Sequence, residues 1–163
     1  MKRVGGTREI IDVVAGATCL QGTYHHTPEG SGSAGAHDSD RIGVVFLNSL
    51  VIPRSGRGDT AVYWADSFAK LGYPCFRIDL PGLGDSAGDL PPEVLEFVFG
   101  VNAGRYGPLV SSAVNTLVHR FGLSGVVVVG HCAGAVSALF AAAADCNAPN
   151  RARLPAAAVE HLP

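Results

Sequence analysis

Residues 125–134 read Gly-Val-Val-Val-Val-Gly-His-Cys-Ala-Gly, a run of valines that leads into a cysteine between two glycines. Four consecutive β-branched residues predict a strand buried on both faces. The chain that follows, to about residue 144, predicts a helix. Gly130 and Gly134 leave room for a sharp turn between the two, because a Cβ at either place would crowd the turn or the neighbouring strand. The stretch therefore predicts a strand, a tight turn centred on Cys132 and a helix.

The chain before this stretch repeats the same order of elements. Residues 42–47 and 74–80 predict two further buried strands. A helix is predicted from Thr60 to a stop at Gly72, and another over residues 107–122. The stripe of the first helix is expected to comprise Ala61, Trp64, Ala65, Phe68 and Leu71. Alternating strands and helices predict an α/β fold, a mostly parallel sheet flanked by helices.

The remaining segments fit around this sheet. Residues 9–14 and 18–24 predict an antiparallel hairpin at one sheet edge. Residues 27–41 are polar and rich in glycine, which predicts a flexible surface loop. Residues 90–104 are apolar but irregular and receive no assignment. We expect residues 1–163 to form a single, incomplete α/β domain.

Composition excludes several functional classes. The 163 residues carry 12 basic and 14 acidic side chains, and they contain no lysine- or arginine-rich run of the kind that follows a phosphate backbone. Nucleic acid is therefore not an expected partner. No segment approaches the roughly 20 apolar residues of a membrane span. The oligomeric state is left open.

The cysteines and histidines indicate neither a metal site nor a disulfide framework. The four cysteines lie far apart, which fits a reducing cytoplasm. His25, His26 and His37 flank or lie in the polar loop and are expected to be solvated, with no metal between them. Neither a nucleotide phosphate loop nor a dinucleotide fingerprint occurs, so no cofactor is predicted. The cysteines are Cys19, Cys75, Cys132 and Cys146.

Four features in chain order resemble the N-terminal half to two-thirds of an α/β-hydrolase. They are the turn at residues 48–50 after the third strand, the loop at residues 79–88, the turn at Cys132 and the helix behind it. The loop reads Asp-Leu-Pro-Gly-Leu-Gly-Asp-Ser-Ala-Gly, and the turn at Cys132 resembles the nucleophile elbow of that family. The combination is similar to hydrolases encoded with exosortase and exopolysaccharide systems. A cysteine nucleophile is also similar to dienelactone hydrolases.

The resemblance implies that Cys132 is the nucleophile in the cleavage of a small-molecule ester or thioester. At the first turn of a helix, the helix dipole favours the reactive thiolate form. The tetrahedral oxyanion would be stabilised by the backbone N–H of Ala133 and by one from the loop after the third strand, either Ser49 or Leu50.

The other members of the site are less well defined. Asn48 and His131 are expected to shape the substrate pocket. In this family the acid and the histidine base follow the nucleophile, and His161 is the candidate base. Asp145 is expected only to end the helix behind the turn. The sequence thus reads as a sheet without its last strands and without two-thirds of a catalytic triad.

Two other interpretations of the same stretch stay open. Cys132 would be a small apolar residue in a non-catalytic fragment or pseudo-enzyme that binds an acyl group, or a protein partner along an exposed sheet edge. Alternatively, Cys132 would be a redox-sensing thiol.

Overall fold

A computed structural model describes residues 7–28, 41–49 and 51–146. Most of the loop predicted at residues 27–41 lies outside these ranges, as do Leu50 and the candidate base His161.

The described strands form one mixed sheet. Along the chain they are β1 (Arg8–Ala15), β2 (Thr18–His25), β3 (Ile42–Leu47), β4 (Cys75–Ile78) and β5 (Gly125–Gly130), and their order in the sheet is β1-β2-β4-β3-β5. β3 pairs in parallel with β4 and β5, whereas β2 pairs antiparallel with β1 and β4. The predicted edge hairpin is confirmed, and the parallel part comprises the three strands at the other side. Because these three strands are parallel, their carboxyl ends lie at the same end of the sheet, its carboxyl edge.

Helices cover both faces of the sheet. They are α1 (Thr60–Lys70), α2 (Val94–Asn102), α3 (Gly107–Phe121) and α4 (Ala133–Cys146). Successive residues of β3 point to opposite faces, so Val45 and Leu47 join the core under α3 and α4, while Phe46 packs under α1. Within the described ranges, no helix combines the length and apolar character needed to cross a membrane. The chain has the α/β-hydrolase-like layering predicted from its sequence.

Two helical details differ from the prediction. In α1 the fully buried residues are Ala65 and Ala69, whereas Trp64 and Leu71 are 43% and 67% exposed. Phe68 packs partly buried against the same core, so the predicted stripe is confirmed at Ala65 and Phe68 and wrong at Trp64 and Leu71. The unassigned segment at residues 90–104 contains α2, which buries Phe97 and Val101.

Candidate active site

Cys132 lies in a sharp turn between β5 and α4. β5 ends at Gly130, α4 begins at Ala133, and the Cys132 side chain is exposed. The φ angle of Cys132 is 55°, in the left-handed region. Among the residues that the structure describes, only Asp59 shares this conformation without being glycine. Such a conformation costs on the order of 1–3 kcal/mol and persists only where the surroundings enforce it.

The two flanking glycines enforce the turn through close backbone packing. A Cβ on Gly130 would lie 2.3 Å from the carbonyl carbon of Gly134, so the end of the strand touches the first turn of the helix. A Cβ on Gly134 would lie 2.7 Å from the Asn48 carbonyl oxygen and 2.8 Å from that of Leu47. Both approaches allow no side chain. The predicted roles of both glycines are thus confirmed.

The first turn of α4 is closed by backbone bonds from the turn itself. The Gly134 amide donates to the His131 carbonyl at 3.1 Å. The amides of Ala135 and Val136 donate to the Cys132 carbonyl at 3.0 and 3.2 Å. The Ala133 amide is not in this set and stands at the free N-terminal end of the helix, beside the thiol-bearing residue.

The segment after β3 meets this turn. Ser49 Oγ lies 3.3 Å from His131 Nδ1, which places the two predicted site segments side by side. Asn48 is buried, and its side-chain amide both donates and accepts a hydrogen bond. It donates to the Ile52 carbonyl at 2.9 Å and accepts from the Leu80 amide at 3.3 Å. Asn48 therefore closes the segment after β3 on itself and ties it to the residue that follows Asp79.

The loop at residues 79–88 is built around a buried carboxylate. Asp79 is fully buried and pairs with the Arg54 guanidinium, which also contacts Asp85 at 2.9 Å. Gly84, at a φ of 53°, approaches so closely that an added Cβ would overlap the Asp79 carboxylate. Gly82 and Gly88 also have positive φ angles, so three glycines of this loop lie in the left-handed region.

A second buried polar network corrects the prediction for His25. This residue is 1% exposed, its Nδ1 lies 2.7 Å from Asp66 Oδ1, and its Nε2 accepts from Arg77 Nε at 2.8 Å. Burial lowers the pKa of His25 to about 4, so the ring is neutral near pH 7. His25 faces Cys75 at the amino end of β4, the opposite sheet edge from Cys132. The Asp–His pair therefore does not serve the cysteine.

The remaining candidates are also placed away from Cys132. Asp145 accepts a bond from Ser111 Oγ at 2.8 Å and so links α4 to α3. His119 is exposed on α3, beside a concavity of about 740 Å³ that runs along that helix. In the described part of the chain, Cys132 Sγ has no hydrogen bond to a histidine or a carboxylate. The same ranges hold no group of three or more potential metal-binding side chains.

Comparison with known protein families identifies the fold. The model of the alpha/beta hydrolase family matches residues 44–161, which is most of the chain. The chain belongs to the alpha/beta hydrolase family. The match includes the segment after β3, the loop at 79–88 and the turn at Cys132. No curated protein matches the sequence significantly.

Solved structures agree with the family at the level of the fold. A dienelactone hydrolase-like promiscuous phosphotriesterase from metagenomic libraries is 24% identical, with a TM-score of 0.59 over 83% of this chain and 53% of its own. A Pyrococcus furiosus esterase is 18% identical, with a TM-score of 0.61 over 86% and 51%. A Vigna radiata epoxide hydrolase is 14% identical, with a TM-score of 0.60 over 90% and 36%. The alpha/beta hydrolase chain described here thus spans about half or less of these proteins.

Proposed function

We propose that this chain carries the nucleophile of a hydrolase that cleaves a carboxylic ester or thioester through an acyl-Cys132 intermediate. The observation that carries the proposal is the exposed cysteine at a φ of 55° between a parallel strand and a helix. This geometry supports the proposal of a nucleophile elbow, a turn that lifts one side chain above the carboxyl edge of the sheet. The family membership supports the same interpretation.

In the proposed reaction, Cys132 Sγ attacks the carbonyl carbon of the substrate. The new C–S bond gives a tetrahedral intermediate, which collapses as the bond to the alcohol or thiol breaks, and the leaving group departs with the proton that the thiol has lost. Water then attacks the acyl-cysteine, releasing the acid and restoring the thiol. The negative oxygen of each tetrahedral intermediate needs N–H donors fixed in advance.

The Ala133 amide is the first proposed oxyanion donor, since it lies at the helix end and is not used in closing the first turn. The Ser49 amide is the second, because the contact between Ser49 and His131 brings its segment next to the elbow. His131 itself is proposed to line the pocket. Its Nδ1 is paired with Ser49 Oγ, an arrangement that suits a residue lining the pocket better than a catalytic base.

The choice of test substrates rests on the proteins that this chain resembles. A cysteine in this position is the feature by which the sequence resembles dienelactone hydrolases, and a dienelactone hydrolase-like enzyme is among the similar structures. A promiscuous phosphotriesterase bears that description, so phosphotriesters belong in the substrate panel beside short acyl esters.

The proposal is tested by acylation with p-nitrophenyl acetate. Release of one p-nitrophenolate per chain, with an acetyl group mapped to Cys132 by mass spectrometry, is expected. Cys132→Ala should abolish both signals. Cys19→Ala is the matched control, because Cys19 is the other exposed thiol among the three cysteines whose side chains the structure describes, whereas burial raises the pKa of the Cys75 thiol to about 12. Absence of acetylation at Cys132 in the folded wild-type protein would refute the assignment.

A second candidate function is supported by the surroundings of the thiol. Within the described ranges, no histidine or carboxylate bonds to Cys132 Sγ, so the step that releases the acyl group has no base there. The chain would then hold an acyl group without turning it over. A stoichiometric burst with no steady-state hydrolysis favours this acyl-binding function, and continued turnover favours the complete enzyme.

A further inference from the structure

The segment that follows β3 and ends at residue 54 carries one proposed oxyanion donor and is bonded at both ends. Near its start, the Asn48 side chain donates to the Ile52 carbonyl within the segment and accepts from the Leu80 amide outside it, and the Ile52 amide closes a turn on the Ser49 carbonyl at 2.8 Å. At its end, the Arg54 amide donates to Asp79 Oδ1 at 2.6 Å. Residue 54 is therefore the second point, besides Asn48, at which the segment of Ser49 is fixed.

Asp79, which bonds to residue 54, is itself held by hydrogen bonds to β2 and to the loop. Its backbone amide donates to the Gln21 carbonyl of β2 at 3.0 Å, and its own carbonyl accepts from Ser86 Oγ at 2.6 Å. Ser86 Oγ in turn accepts from the Gln21 amide at 2.8 Å. Asp79 is thus bonded to the sheet, because its backbone N–H bonds to β2 and its carbonyl bonds to the loop at residues 79–88.

The side chain of Arg54 also bonds to Asp79 and to β2. Its guanidinium pairs with Asp79 Oδ2, its Nε donates to Thr23 Oγ1 at 3.0 Å, and only 13% of the side chain is exposed. The Arg54 carbonyl accepts from Arg77 Nη1 at 2.9 Å. The backbone N–H, the carbonyl and the guanidinium of one residue are therefore all bonded to buried side chains of the sheet or its carboxyl edge.

We infer that Asp79 is a positioning residue for catalysis, which acts through Arg54 to hold the segment after β3 so that the Ser49 amide points at the oxyanion. This inference rests on the proposed function, because it assigns a role within the same site. An exposed ion pair does not need to be bonded on every side in this way. A buried carboxylate such as Asp79, by contrast, needs its counter-ion in one position and so holds Arg54 there. Asp79 and Arg54, which are far apart in sequence, thereby set the direction of the Ser49 N–H.

The test separates carbonyl chemistry from thiol exposure. Acylation of Cys132 by p-nitrophenyl acetate forms an oxyanion, whereas its alkylation by iodoacetamide does not. For Asp79→Asn, we expect the acylation rate constant to fall by about tenfold to a hundredfold, which is part of the loss seen when an oxyanion donor is removed outright. The alkylation rate should stay within about twofold of the wild type, by the same reasoning.

Two further comparisons show whether the effect belongs to the pair. Asp85→Asn is the matched control, since it removes an equal charge from the same guanidinium but accepts no bond from the Arg54 amide, and it should leave both rates unchanged. Arg54→Met should lower acylation selectively, and Arg54→Lys should restore part of it. This second pair tests the inference even if Asp79→Asn does not fold, as judged by circular dichroism.

The outcomes separate the two proposals. If wild-type Cys132 is not acylated, the proposed function fails and the inference falls with it. If wild-type Cys132 is acylated but a folded Asp79→Asn variant reacts at the wild-type rate, only the inference is overturned. An equal fall in acylation and alkylation also overturns it, because that pattern reports a general loss of structure.

Discussion

Acid is expected to destabilise this protein through His25 in a defined pH window. Burial lowers the pKa of His25 to about 4, and the neighbouring Arg77 guanidinium acts in the same direction. In the unfolded chain the ring titrates near pH 6.5. Because the folded pKa is the lower one, the unfolded state takes up the proton first as the pH falls. The stabilising contribution is therefore complete above pH 6.5 and is lost between pH 6.5 and pH 4.

The size of the effect follows from that difference. At about 1.4 kcal/mol per pKa unit, the full loss is on the order of 3 kcal/mol, and most of it is lost between pH 7.5 and pH 4.5. This is a large fraction of the stability of a small domain. Protonation would also place a positive ring next to Arg77, whose own pKa burial lowers to about 10.

Urea unfolding at pH 7.5 and pH 4.5 measures the loss. His25→Gln provides the comparison, because an amide can donate to Asp66 and accept from Arg77 but cannot take up the proton. The wild type should lose on the order of 2–3 kcal/mol more than this variant between the two pH values. His26→Gln is the matched control at an exposed neighbour and should behave as the wild type. Equal losses in the wild type and His25→Gln would refute the reasoning.

Two further predictions concern the turn at Cys132. Gly134→Ala should lower the free energy of unfolding by about 3 kcal/mol or more, because its Cβ would meet the carbonyl oxygens of Asn48 and Leu47 at 2.7 and 2.8 Å. Gly125→Ala, whose Cβ meets only the end of a flexible side chain, should cost about 1 kcal/mol or less, and urea unfolding checks both. Cys132→Gly should be about 1 kcal/mol more stable than Cys132→Ala, since glycine adopts a positive φ without strain. Equal stability of the last two in thermal unfolding would contradict the strain assigned to this position.

Much of the fold could be predicted because its signals are local. The valine run of β5 and the stop at Gly122 each involve residues close in sequence, and Gly122 has the expected φ of 60° at the end of α3. α2 was missed although Phe97 and Val101 lie four residues apart on its buried side. Pro91, Pro92 and the irregular apolar residues around them hid that spacing.

What could not be predicted depends on contacts between distant parts of the chain. His25 precedes a polar, glycine-rich stretch, which suggests a solvated ring, and only the packing of α1 on the sheet brings Asp66 to it. Asp79 likewise fits a simple turn. Its bond to Arg54 joins positions 25 residues apart, and no residue pattern announces that pairing.

The two sides of the candidate site are therefore supported by different kinds of interaction. On the cysteine side, glycine backbones touch the neighbouring strand and helix, and such contacts do not depend on charge. On the other side, the segment at Ser49 is held by a buried ion pair and by the Asn48 amide. A substitution in the ion pair should consequently change carbonyl chemistry while the thiol stays exposed. This independence allows the nucleophile and the oxyanion donor to be tested separately in one chain.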